Sequence, residues 1–131
     1  MPKNNPTCTI TQKTKGRYPN LPFVDIKEHI LGKSYDLSLV LTGNTLSKKI
    51  NKHYKGKDKP ANVLAFPLSA KSGELFVDLE TVKKQAPSFS LNYRQFLIFI
   101  FIHGLLHLKG SRHGSRMETE EKKWMKKYSH Q

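Results

Sequence analysis

The sequence predicts a single α+β domain in which about four strands form a mixed sheet around one buried helix. Two observations predict this class. Short alternating or apolar stretches, typical of strands, are interspersed with stretches of helical periodicity. Residues 91–108 are apolar on nearly all sides, as expected for a helix at the centre of a fold. The 131 residues, 37% of them hydrophobic, suffice for one core, so residues 1–131 are interpreted as one domain.

The first third of the chain contains a strand, a helix and a second strand. Residues 6–13 alternate in polarity and are rich in Thr and Ile, which predicts a strand. Residues 21–31 carry apolar side chains at helical spacing, and Gly32 ends this helix. Residues 35–41 alternate regularly, which predicts the second strand.

A second helix follows this strand. Either Thr42 or Asn44 is expected to cap its N-terminus, because both side chains can accept a hydrogen bond from a backbone N–H. Leu46, Ile50 and Tyr54 recur at helical spacing, so they are predicted to form its apolar side.

A hairpin and a short helix occupy the middle of the chain. Residues 55–61 are polar and contain Gly and Pro, which predicts a loop. Residues 63–68 and 74–79 are predicted strands joined by a turn at 69–72, close enough for a hairpin. Residues 80–85 then form a short helix.

The last third is predicted to contain the central helix and a final helix. Ser90 is expected to cap the helix at 91–108, and Gly110 stands where a C-terminal glycine belongs. Ser115 and Glu118 have the spacing of a capping box at the start of the last helix. The apolar face of that helix consists of Met117, Trp124, Met125 and Tyr128.

The charge of the chain indicates a polyanionic partner. The net charge is +13, from 23 Lys and Arg against 10 Asp and Glu. Such an excess causes self-repulsion in the free protein, which a negatively charged partner relieves. On charge alone, nucleic acid and an anionic membrane surface are both acceptable partners.

The chain is expected to be cytoplasmic and to have no membrane span. The apolar run at 96–108 is short and contains His103, so it is interpreted as a buried helix. Residues 1–14 lack the apolar segment of a secretory signal. Cys8 is the single cysteine, which fits a reducing compartment, and it is interpreted as a small apolar strand residue.

Three histidines have the spacing of a metal site. His103 and His107 lie four residues apart on a predicted helix, so both rings point from one face. Gly110 allows a sharp reversal that brings His113 back as a third ligand. Three imidazoles on a zinc-like ion leave one position for water, which then loses a proton near neutral pH. The other histidines, His29, His53 and His130, are interpreted as surface residues.

The spacing equals that of the metzincin proteases, but one position differs. Where those proteases have their general-base Glu, this chain has Gly104. The pattern therefore keeps the metal ligands and lacks the protease base. The alternative, two buried histidines satisfied by backbone groups, does not account for the third histidine and the intervening glycine.

A lysine-rich segment precedes the predicted hairpin. It consists of Lys48, Lys49, Lys52, Lys55, Lys57 and Lys59. The simplest interpretation is a solvated helix face and loop. If this end of the sheet faces the histidines, however, Lys52, Lys55, Lys57 and Lys59 would bind nucleic-acid phosphates near the metal.

These residues carry a resemblance to a known family. The segment His103-Gly-Leu-Leu-His107-Leu-Lys-Gly110-Ser-Arg-His113 is similar to the H-G-x-L-H-L-x-G-y-D-H motif of the YbeY family, bacterial metal-dependent endoribonucleases. Residues 53–67 resemble the family's Y-R-G-K-D-K-P-T-[DN]-V-L-S-F-P stretch. The resemblance runs over residues 35–128 in the same order, and glycine is what the family has at Gly104.

The resemblance implies an α+β fold whose cleft holds the three histidines and one metal ion, usually zinc, although other divalent ions remain open. It implies cleavage of single-stranded RNA, a part in maturing the 3′ end of small-subunit ribosomal RNA, and ribosome quality control. The implied partners are the small ribosomal subunit and a ribosome-associated GTPase.

The chain departs from the family pattern at the site itself. Lys55 falls on the family's basic cleft residue, where Arg is usual, and the resemblance implies that it positions phosphate. Arg112 replaces the usual Asp, which removes a carboxylate beside the third histidine. Ala61 and Ala65 replace the usual Thr and Ser.

Two other functions stay open at this point. The chain could be a non-catalytic RNA-binding ribosome assembly factor with a structural metal. A metzincin-like peptidase ranks last because of Gly104.

Overall fold

The computed structural model describes residues 7–110 and 114–129, in which strands and helices alternate up to a hairpin and only helices follow it. The strands are β1 (Cys8–Gln12), β2 (Asp36–Thr42), β3 (Val63–Ser69) and β4 (Ser72–Asp78). The helices are α1 (Phe23–Leu31), α2 (Asn44–Lys55), α3 (Leu79–Gln85), α4 (Tyr93–Lys109) and α5 (Ser115–Tyr128). A 3₁₀ helix, Ala86–Phe89, joins α3 to α4. The predicted α+β class is confirmed.

The four strands form one mixed sheet, as predicted. The strand order is β1-β2-β4-β3; β1 and β4 pair with β2 in parallel, and β3 pairs with β4 antiparallel. The predicted hairpin is the β3–β4 pair, with Pro67 opposite Gly73. Because β3 is an edge strand, Pro67 does not interrupt a ladder on both sides.

Helix α4 is the centre of the fold, which confirms the predicted buried helix. Seven of its side chains have no solvent exposure, namely Phe96, Leu97, Ile98, Phe101, Ile102, Leu105 and Leu106. The helix packs against β3 and β4 on one side and against α1, α3 and α5 on the others.

No single helix in the described part of the chain combines the length and apolarity needed to cross a membrane. A bent pair of helices, Leu79–Phe89 with Tyr93–Lys109, meets the requirement by length and composition only.

Gly104 permits the close approach of α4 to the sheet. A Cβ atom at this position would lie 2.5 Å from Leu75 Cδ1 and 3.0 Å from Val63 Cγ2. A Cβ atom this close to Leu75 would require the side chains of Leu75 and Val63 to shift within a close-packed core. The glycine therefore sets the depth at which α4, with its histidines, rests on β3 and β4.

The predicted helix caps were partly wrong. Asn92, two residues after Ser90, caps α4: its side chain accepts from Gln95 N at 2.8 Å, and Gln95 Oε1 accepts from Asn92 N at 3.1 Å. This capping box satisfies two backbone donors, which Ser90 cannot do because it closes the preceding 3₁₀ helix with φ of 58°. At α5, Gly114 is the N-cap and makes no side-chain hydrogen bond, so the capping box predicted from Ser115 and Glu118 is absent there.

Helix α2 buries polar side chains, contrary to the prediction. Its buried residues are Ser47 and Asn51, whereas Tyr54 is 65% exposed. The reason is the fully buried carboxylate of Asp78, which accepts a hydrogen bond from Ser47 Oγ at 2.6 Å. A buried charge requires such donors. The N-cap is Gly43, and neither Thr42 nor Asn44 has that place.

Candidate metal centre and basic cleft

Two of the three predicted metal ligands meet near the C-terminal end of α4. The Nε2 atoms of His103 and His107 lie 3.0 Å apart, and the planes of the two rings are inclined at 78°. Both rings are partly buried, and both line a surface cleft. The helical repeat explains the arrangement, because residues four apart share one face.

The separation of these nitrogens suits a metal ion. Two ligands of a tetrahedral zinc ion, each at about 2.0–2.1 Å from it, are about 3.3 Å apart. Residues 7–110 and 114–129 contain no group of three His, Cys, Asp or Glu side chains that could hold a metal. His113, the predicted third ligand, and Arg112 beside it lie outside the described residues. The three-histidine site therefore stays a prediction.

Glu121 is a site residue that the sequence reasoning missed. It lies in α5, is only 8% exposed, and accepts a hydrogen bond from His103 Nδ1. This bond places the ring proton on Nδ1, which leaves the Nε2 lone pair directed towards His107. The sequence did contain a sign of this role, since Glu121 lies between Met117 and Trp124 on the apolar face of α5. A carboxylate on an apolar face needs a buried hydrogen-bond partner.

The far end of α5 is fastened to α1. The Tyr128 hydroxyl donates a hydrogen bond to Asp25 Oδ2 at 2.9 Å and also bonds to His29 Nδ1. Burial, and then the hydrogen bond to Asp25, raises the pKa of Tyr128 well above its ordinary value. His29 is exposed as expected, but its ring also stacks on Trp124 at 6.1 Å. This contact holds the helix that carries Glu121.

The lysine-rich segment and the histidines share one cleft of about 570 Å³. Lys55, Lys57 and Lys59 line the cleft with His103 and His107. All three lysines are exposed, so their ammonium groups are accessible to a ligand in the cleft. A phosphate that entered the cleft would therefore meet both the lysines and the imidazoles.

Lys52 has a different place. Although it belongs to the same predicted binding group, it lies on the exposed surface of α2 and is not part of the cleft lining. Of the other histidines, His53 is exposed on the same helix, as expected, and His130 lies outside the described residues.

Polar side chains hold the cleft walls in place. Asn51 Nδ2 donates a hydrogen bond to the carbonyl oxygen of Lys59 at 2.9 Å. This bond ties the loop at residues 56–62, which carries Lys57 and Lys59, to α2. Asn62 Nδ2 donates to Gln85 Oε1 at 3.0 Å, which joins the start of β3 to α3. Asn51, Asn62 and Gln85 all line the cleft, and the sequence reasoning did not single them out.

Comparisons with known proteins give one consistent result. The family model described as "Endoribonuclease YbeY" matches residues 12–131. A relative of that name from Persephonella marina is 39% identical over 103 residues, 72% of this chain and 67% of the relative. Another of the same name, from Pelagibacter ubique, is 35% identical over 119 residues, 81% of this chain and 78% of the relative.

A solved structure supports the same fold. The solution structure of a Thermotoga maritima protein matches with a TM-score of 0.64 and 26% sequence identity. The match covers 91% of this chain and 87% of that protein.

Proposed function

The chain belongs to the YbeY family of endoribonucleases, and on this premise we propose that it cleaves single-stranded RNA in the cleft beside His103 and His107. One observation carries the proposal: the paired imidazoles and Lys55, Lys57 and Lys59 line the same cleft. Lysines in the same cleft as two candidate metal ligands suit a phosphodiester substrate. The lysines would neutralise the phosphate groups on either side of the scissile bond.

We propose that one zinc ion, or another divalent metal, is held by His103, His107 and His113. Members of the family are metal-dependent nucleases. The 3.0 Å separation of the two Nε2 atoms and the Glu121 hydrogen bond support the first two ligands. When bound, such an ion would act as a Lewis acid on the scissile phosphate and would make water at the site more acidic.

The chain's own residues have distinct roles under this proposal. Glu121 holds the ring of His103 in one tautomer and one orientation. Lys55 positions a phosphoryl oxygen through a single ammonium charge, since lysine lacks the two-pronged geometry of arginine. Asn51 keeps Lys59 in the cleft wall, so the lysines stay beside the histidines.

We also propose a cellular setting for this activity. The substrate would be ribosomal RNA at the 3′ end of the small subunit, cleaved in the cytoplasm during processing and quality control. The small ribosomal subunit and a ribosome-associated GTPase would be partners. The support is the family resemblance together with the net charge of +13, which suits an RNA-rich particle.

The position of Gly104 argues against a metzincin-type peptidase. Its missing side chain would point at Leu75 and Val63 in the sheet, not into the cleft. A glutamate at this position would have to displace the side chains of Leu75 and Val63, so the packing here does not favour a protease base.

The decisive experiment combines metal analysis with RNA cleavage. The purified protein would be assayed for bound zinc and other divalent metals, then incubated with a labelled single-stranded RNA and with a duplex of the same sequence. We expect metal in near-stoichiometric amount, cleavage of the single strand, and loss of cleavage on chelation that zinc restores. Tight binding without metal-dependent cleavage would contradict the nuclease and favour a non-catalytic assembly factor.

A further inference from the structure

An exposed group of rings lies beside the cleft. We call His53, Tyr54 and Phe66 the aromatic shelf. The centroids of the His53 and Tyr54 rings are 4.5 Å apart, and those of Tyr54 and Phe66 are 5.2 Å apart, each pair in an edge-to-face arrangement. Tyr54 is nevertheless 65% exposed. Its ring is thus supported by two neighbours while much of its surface remains open to a ligand.

The shelf and the cleft lie on opposite sides of one edge strand. Val63 faces Gly104 of α4, so Ala65 and Pro67, at alternate positions of β3, lie on the same face and line the cleft, which Leu64 also borders. Phe66 between them points to the other face of the sheet, since side chains alternate along a strand. On α2, Tyr54 belongs to the shelf and the next residue, Lys55, lines the cleft. A strand is only about 5 Å wide, so a flexible polymer in the cleft can reach the shelf by passing over β3.

The helix that carries Tyr54 is positively charged. Lys48, Lys49, Lys52 and Lys55 are all exposed on α2, the helix that carries Tyr54. Asp58 lies nearby and approaches Lys48 at 3.9 Å, so it offsets one of these charges. Lysines and an exposed ring on one helix are a combination with which proteins hold single-stranded nucleic acid, because cations follow the backbone and the ring stacks on a base.

We propose that the aromatic shelf is a base-stacking subsite in which Tyr54 stacks on a nucleobase of the single-stranded RNA that occupies the cleft. The inference rests on the proposed nuclease function and adds a contact on the far side of β3. A duplex cannot use this subsite, because its bases are already stacked and paired. The subsite thus contributes to the choice of single-stranded over double-stranded RNA, and it accepts any base because every base has a flat face.

The test measures RNA binding and cleavage with the metal-loaded protein. The probes are labelled single-stranded RNAs of about ten nucleotides, in which one base at a time is replaced by an abasic sugar. We expect Tyr54→Ala to raise Kd and KM on the order of tenfold while kcat changes little. In the wild type, one abasic position should cause a similar loss. In Tyr54→Ala, the same abasic position should cause no further loss, because the stacking partner is already absent.

Matched variants separate stacking from other causes. Tyr54→Phe keeps the ring and should resemble the wild type, whereas Tyr54→Leu keeps apolar bulk and should resemble Tyr54→Ala. Phe89→Ala removes a ring that is 54% exposed and lies outside the shelf, so RNA binding should be unchanged. Thermal unfolding of each variant checks that the fold is retained.

The outcomes distinguish this inference from the nuclease proposal. If the wild type cleaves RNA but Tyr54→Ala has normal RNA affinity and normal sensitivity to abasic positions, the base-stacking subsite is overturned. The nuclease proposal is unaffected by that result. Wild-type behaviour of Tyr54→Leu would also overturn stacking, because apolar bulk without a ring would then suffice for RNA binding. If the wild type binds single-stranded RNA without cleaving it, and Tyr54→Ala binds that RNA more weakly, the result supports the base-stacking subsite. The same result contradicts the nuclease proposal.

Discussion

Glu121 in α5 accepts a hydrogen bond from Nδ1 of His103 in α4, and the opposite nitrogen of the same ring faces His107. Carboxylates in this position fix the tautomer of a ligating histidine and raise its basicity. The pair therefore couples the last helix of the chain to the proposed metal site, although Glu121 itself is not among the proposed ligands.

Replacing Glu121 should weaken metal binding. We expect Glu121→Gln to raise the zinc dissociation constant about 10- to 100-fold, because the amide loses the negative charge that polarises the ring of His103. Glu118→Gln, on an exposed part of the same helix, is the matched control. Competition with a coloured chelator measures the affinity without reference to activity. Equal affinities in the two variants would show that the carboxylate has no part in holding the ring for metal.

Removal of one imidazole should abolish the site. We expect His107→Ala to lose both bound zinc and RNA cleavage. Of the two imidazole rings that the structure places in the cleft, only that of His103 would remain to bind the metal. His107 is partly exposed, so the circular dichroism spectrum should be retained. Full cleavage by the highly purified variant would place the chemistry elsewhere.

Lys55 should act on phosphate through its charge. We expect Lys55→Ala to weaken RNA binding and to reduce the slope of log K against log salt by about one, as for one lost phosphate contact. Lys55→Arg should bind at least as well, since it keeps the charge and adds paired donors. Lys71→Ala, at the exposed turn of the hairpin, removes the same charge away from the cleft and serves as control. Identical salt slopes for Lys55→Ala and Lys71→Ala would refute a specific contact.

Gly104 should tolerate no side chain. We expect Gly104→Ala to reduce the free energy of unfolding by about 1–3 kcal/mol, because the new methyl group overlaps the Leu75 side chain, which must shift within a packed core. Urea denaturation measures this difference. An unchanged midpoint and slope would mean that the helix can move away from the sheet at little cost.

The fold of the chain was largely predictable, because strand alternation and the apolar helix depend on local sequence. The positions of Asn92 and Asn51 were not. Ser90 and Asn92 are both good caps, and the choice between them depends on how the preceding 3₁₀ helix ends. Helix α2 turns Ser47 and Asn51 inward because Asp78, far along the chain, needs a donor and Lys59 presents a carbonyl group.

The candidate site was predictable only where its geometry is local. His103 and His107 share a helix, so their spacing alone brings the rings together. Glu121 reaches His103 from a separate helix, and the approach of Lys55 depends on how α2 packs on the sheet. No periodic pattern in the sequence predicts either contact, because both depend on how whole helices and strands pack together.

Alkaline pH should destabilise the protein through Tyr128. Burial and the Asp25 hydrogen bond raise the pKa of this hydroxyl in the folded chain, whereas an unfolded tyrosine ionises at about 10. Above about pH 10 the unfolded chain therefore binds fewer protons than the folded one, so stability falls as pH rises. Tyr128→Phe should show a shallower fall, measured by urea unfolding near pH 8 and near pH 11. Parallel pH dependences would contradict the assignment to Tyr128.

The buried core of α4 has a consequence for the order in which the molecule opens. Amide protons in the middle of this helix should exchange with deuterium only on global unfolding, since no smaller motion brings Phe101 or Leu105 into contact with water. The histidine pair is carried by that same slow-exchanging segment. Local opening of the loop at residues 56–62 would therefore leave the two imidazoles in place to bind metal.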